Sequence, residues 1–191
     1  YYKIPIVSKY GGIDSINNNI LFVSGNSELY LLKNNSDNYE GDKFKEILIQ
    51  KINNNKDKFI EDFKVELGEF GALNFGIKDI LIENFFGYKN KLLLASSLNY
   101  IKEKKCYTLS IFRTEIINEN NIEISGWNKV FDTKKCLFVG LTKNPKFAGT
   151  SAGGRISKLD DNNILLSVGD FYADGFNGPI LSQDKNNDYG K

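Results

Sequence analysis

The sequence predicts an all-β fold, and three observations carry that expectation. The apolar runs at residues 20–24, 29–32, 80–82, 92–95 and 164–168 are short enough for strands and too short for ordinary helices. Residues 106–116 alternate: Tyr107, Leu109 and Ile111 interleave with Thr108, Ser110 and Phe112, the period of a strand with one wetter face. Gly, Asn and Asp punctuate the ends of these runs, and the Asn runs at 17–19, 34–35 and 186–187 fall between them as tight connections, because Asn tolerates turn geometry.

One stretch departs from this period. Residues 56–64 place Phe59, Ile60 and Phe63 at helical spacing, which predicts one short helix inside a charged insertion over residues 39–66. Such an insertion caps or connects strands.

Length and charge bound the function. The 191 residues suffice for a core, and 25 Lys+Arg against 24 Asp+Glu leave a net charge of +1 with the signs interspersed. That balance argues against a nucleic-acid footprint or a basic membrane patch. The apolar runs at 92–95 and 136–139 fall far below the roughly 18 residues of a spanning helix. Cys106 and Cys136 sit in no Cys-x-x-Cys pair and the chain has no His, so no zinc or redox motif is present. Two buried thiols and one structural disulfide both remain open.

Residues 11–25 and 153–169 echo each other. Both begin with a double glycine and run through a strand, an Asn-containing turn and an apolar strand to a closing Gly. Equivalent hairpins at such an interval are what a radial β-propeller, with its repeated sheets of about four strands, predicts. Residues 1–191 then form one partial propeller domain.

The stretch from Phe147 to Lys191 is the most specific. Ser151-Ala-Gly-Gly-Arg-Ile156, Asp160-Asp-Asn-Asn-Ile-Leu-Leu-Ser-Val-Gly-Asp170, Gln183-Asp184 and Asp188-Tyr-Gly-Lys191 follow in order. This succession resembles the glucose/sorbosone dehydrogenase family of soluble quinoprotein sugar dehydrogenases. Upstream, residues 70–76, 92–96 and 108–113 look like the preceding blade. The resemblance implies a six-bladed propeller of which this chain is about half, the remainder of its own chain being its partner. It also implies a periplasmic or secreted location, pyrroloquinoline quinone and calcium as cofactors, and hydride transfer from a small sugar or alcohol. The family's proton-accepting His falls on Ser151 and its orienting carboxylate on Asp170; Arg155 has the planar donors to hold an anionic cofactor or substrate, and Gln183 and Asp184, near the mouth where propeller loops bind ligands, are candidate substrate contacts or plain loop hydrogen-bonding residues.

The chain departs from the family at the decisive position. A serine hydroxyl accepts no proton near neutral pH without a base, and a chain without His offers none of the usual kind. Asp170 is then the candidate base itself, or else it ends its strand and ties the next turn. Arg155 holds an anionic group, or pairs with Asp170. The aspartates at 170, 174, 184 and 188 form an oxygen-rich stretch without the spacing of a known calcium loop, so no metal ligand set is assigned. Two functions survive: a quinoprotein-like fragment with altered or lost catalysis, and a non-catalytic propeller binding carbohydrate or protein. The absence of Met and an end at Lys191 straight after the patterned stretch read as a piece of a longer chain.

Overall fold

The computed structural model describes residues 11–25, 27–33, 45–47, 50–134, 136–139, 149–171 and 186. Among them the strands form three antiparallel sheets in chain order. The first is a meander of β1 (Gly11–Ile16), β2 (Asn19–Ser24), β3 (Leu29–Leu32) and β4 (Lys45–Ile47). Helix α1 (Lys56–Leu73) leads into the second sheet, where β5 (Ile77–Glu83), β6 (Leu92–Ile101) and β7 (Cys106–Asn118) are joined by short β8 (Glu123–Ile124), β9 (Asn128–Asp132) and β10 (Leu137–Phe138) along β7. The third is the hairpin of β11 (Gly153–Lys158) and β12 (Ile164–Val168). The fold is mostly strand, as the sequence predicts, and the sheets are open.

Both echoing segments are hairpins. Asn17 and Asn18 adopt φ of 47° and 64° between the paired Ile16 and Asn19, the left-handed pair that a two-residue turn of a right-twisted hairpin requires. In the second hairpin Asp160 ties the turn, its Oδ1 accepting from the Asn162 backbone at 2.8 Å and from Asn163 Nδ2 at 2.9 Å.

The second sheet lies between the other two. Its Ile80, Ile82, Leu93, Ala95, Phe112 and Ile116 face the first sheet's Leu21, Val23, Leu29 and Leu31. The opposite face brings Leu92, Leu94 and Ile111 against Ile156, Ile164 and Leu166 of the hairpin. A third cluster joins Phe59 of α1 to Phe75, Leu98, Tyr100, Tyr107, Leu109 and Phe171. Each fully buried Leu, Ile or Phe stabilises the fold by roughly 1.5–3 kcal/mol, so these clusters hold the three sheets in their stack.

The first strands of the sheets, β1, β5 and β11, run beside one another, joined by carboxylates instead of a ladder. Asp14 Oδ2 on β1 accepts from the Ile82 amide of β5 at 2.6 Å. Asp79 Oδ2 on β5 accepts from the Ile156 amide of β11 at 3.0 Å. The double glycines allow the approach: a Cβ on Gly12 would stand 2.6 Å from the Ile80 nitrogen, and one on Gly154 2.8 Å from the Lys78 Cβ.

Three expectations change. Helix α1 has 18 residues and runs to Leu73, so residues 70–73 close the helix instead of opening a blade. Phe59 anchors it, packing on Phe75 at 4.3 Å and edge-on to Tyr100 at 5.4 Å. The expected wetter face of β7 is dry: Thr108 and Ser110 are buried because both hydroxyls donate to Asp132 Oδ1, at 3.0 Å from Thr108. Residues 45–47 of the charged insertion form β4 at the edge of the first sheet. Cys106 and Cys136 form a disulfide that ties β7 to the segment before β10.

Candidate functional site

The predicted site residues lie on the β11–β12 hairpin and the segments just outside it. Ser151 ends a short 3-10 turn at Gly149–Ser151, before β11, and Asp170 follows the last residues of β12. The hairpin register brings these ends together: the Gly169 amide donates to the Ala152 carbonyl at 2.9 Å and the Phe171 amide to the Ser151 carbonyl at 3.1 Å. Ser151 and Asp170 are both half-buried. Phe171 anchors the crossing, fully buried and 6.0 Å from the Tyr107 ring.

Arg155 stands elsewhere on the hairpin, and the carboxylate it pairs with is Asp79 instead of Asp170. Its backbone amide donates to Ser167 Oγ at 2.9 Å, which fixes it on the strand. Its Nη1 reaches Asp79 Oδ1 at 3.4 Å, with the Arg155 side chain 80% exposed and the Asp79 side chain 7%. Asp79 thus takes the guanidinium and the Ile156 amide together. Beside it the buried Lys78 donates its Nζ to the Asn74 carbonyl at 3.1 Å, and Gly154 packs on its aliphatic stem. The Ser96 hydroxyl donates to the Gly154 carbonyl.

Lys78 and Asp79 are the polar residues that sequence reasoning missed. Their signal is faint: two charges directly before the apolar run at 80–82, at the start of a strand where charges ordinarily face solvent. Gln183 and Asp184, and with them Tyr172, Asp174, Phe176 and Asp188, lie outside the described residues. Among the described residues no group of three or more His, Cys, Asp or Glu is placed to hold a metal ion, and no helix is long and apolar enough to cross a membrane.

Chemically, Ser151 brings a hydroxyl that donates and accepts, and Asp170 a carboxylate that accepts. A donor and an acceptor on neighbouring backbone suit the hydroxyl groups of a polyol. No family profile, no curated protein and no solved structure matches this chain.

Proposed function

We propose that the chain is an arc of a β-propeller of the glucose/sorbosone dehydrogenase kind, about half of a six-bladed ring, serving as a non-catalytic module that binds a sugar or similar polyol. The observation that carries this reading is the placement of β1, β5 and β11 side by side, each the first strand of its own antiparallel sheet, with successive sheets stacked face to face. Successive blades around an axis have that relation. The segments that carry Ser151 and Asp170 pair through their backbones, and the resemblance puts the family's base and its orienting carboxylate at these two positions; Gln183 and Asp184 are the further polyol contacts of this proposal. The Cys106–Cys136 bridge supports an oxidising compartment, periplasmic or extracellular.

Among the described residues, those at the proposed site do not fit the family's cofactors. Pyrroloquinoline quinone carries several carboxylates and needs cations, whereas Arg155 is engaged by Asp79, Ser151 is neutral and Asp170 is negative. Calcium takes six to eight oxygen ligands, and among the described residues no three acidic groups converge to supply them. Binding without oxidation is the chemistry left to a hydroxyl and a carboxylate when the position of the base holds serine.

The test is a sugar and polyol panel titrated into the protein by calorimetry, with Ser151→Ala and Asp170→Asn alongside. The reading expects at least one polyol to bind, and both variants to weaken it. Dye reduction on adding quinone, calcium and a sugar would restore the dehydrogenase; silence in both assays would sink polyol binding.

A further inference from the structure

A second cleft lies at the other end of the hairpin, six strand residues from Ser151, or about 20 Å. It has a volume of about 260 Å³ and opens between the loop after β5, strands β6, β7 and β9, and the β11–β12 turn. Phe85, Phe86 and Tyr88 form one wall, while Leu92, Leu94 and Ile164 form the floor. The loop is held in place: the Phe86 amide donates to the Asp161 carbonyl at 3.1 Å, and the Tyr88 amide to the Phe85 carbonyl at 3.3 Å. Phe86 is nevertheless 81% exposed, an aromatic ring that the fold itself does not use.

Arg113 is the cation among the residues lining this cleft. Its guanidinium lies 5.0 Å from the centre of the Tyr88 ring and donates to the Tyr88 hydroxyl. Among the described residues it has no carboxylate partner. The nearest acid of the lining is already taken, since Asp161 Oδ1 pairs with Lys158 Nζ at 3.1 Å, and Lys158 also reaches Glu83 Oε2 at 3.4 Å. An aromatic wall, an apolar floor and one unneutralised guanidinium select a ligand with a flat apolar ring and a single carboxylate, because planar guanidinium donors match a carboxylate in pairs and stack on rings. The volume sits just below the usual range for small-molecule sites, which limits the ligand to one ring.

We propose that this cleft binds a small aryl carboxylate, with the carboxylate on Arg113 and the ring against Phe86 and Tyr88. The site is separate from the proposed polyol end of the hairpin and does not depend on it.

The probe is benzoate, titrated into the protein while the aromatic ring resonances are followed by NMR, with benzyl alcohol and glucuronate as comparisons. Saturable millimolar binding of benzoate is expected, with benzyl alcohol and glucuronate weaker by about tenfold or more. Arg113→Gln should lose about tenfold or more in benzoate affinity. Phe86→Ala, at an exposed ring whose loss leaves the core untouched, should weaken binding with an unchanged urea melt. Benzoate that leaves the Tyr88 and Phe86 rings unmoved would overturn the proposal, as would benzyl alcohol binding equally well, or a Phe86→Ala protein that binds as before. Preference for glucuronate would assign the cleft to a sugar acid and overturn the aryl assignment.

Discussion

Replacing Gly154 with alanine tests the joint between the second and third sheets. The new Cβ would stand 2.8 Å from the Lys78 Cβ and 3.1 Å from both its Cδ and the Ser96 Oγ, at a residue whose φ is +109°. The contact is with the root of the Lys78 side chain, so relief requires β5 itself to move. Backbone strain at such a φ costs about 1–3 kcal/mol, and overpacking about as much again. The expected loss is about 4 kcal/mol, which for a chain of this length lowers Tm by about 8–16 °C. Gly87→Ala is the control, since Gly87 also has positive φ, at +85°, but a Cβ there meets nothing within 4 Å. Urea melts followed by the fluorescence of Trp127, the one tryptophan, give both values. If Gly154→Ala costs no more than Gly87→Ala, the close approach of β11 to β5 is refuted.

Three further outcomes are expected. Cys106→Ser with Cys136→Ser should cost about 3–4 kcal/mol, because the bridge closes a separation of 30 residues; melts with and without reductant should reproduce the loss in the unaltered protein. Asp79→Ala should cost about 1–3 kcal/mol in chemical denaturation by stranding the buried Ile156 amide, while Arg155→Ala, which removes an exposed partner, should cost less than about 1 kcal/mol. Burial, and then the hydrogen bond to Asp62 at 2.7 Å, raise the Tyr100 phenol above its ordinary 10.0. The folded state therefore holds that proton more tightly, and the stability it contributes is complete below pH 10 and lost as pH rises through the higher folded value. Tyr100→Phe should flatten the alkaline limb of a stability-against-pH curve, and an unchanged limb would contradict this assignment.

Much of the architecture was legible because strand signals are local. The Asn17–Asn18 turn, the runs at 20–24, 29–32 and 164–168, and both double-glycine hairpins rest on turn chemistry and period-two patterning within a few residues. The length of α1 was not legible, since its continuation to Leu73 passes two glycines, which are poor helix formers. Nor was the dryness of Thr108 and Ser110, because a hydroxyl is polar on paper and Asp132, which satisfies it, lies 22 residues away from Ser110. The site was legible only as chain positions. The pairing of Ser151 with the 169–171 segment follows from the hairpin, but Asp79, which claims Arg155, sits 76 residues upstream, and no spacing rule reaches that far. Arg113 with Tyr88 escaped notice for the same reason, a strand residue and a loop residue 25 positions apart.

The carboxylate links at Asp14 and Asp79 decide why three sheets stay three. Adjacent strands in a continuous ladder lie about 4.8 Å apart and must share one plane and one twist. An aspartate reaching across instead saturates the neighbouring amide from a side chain, while Gly12 and Gly154 let the backbones pass closely without exchanging ladder hydrogen bonds, so each sheet ends at that seam. Two such seams in succession turn what would be a single broad ribbon into a fan of separate leaves.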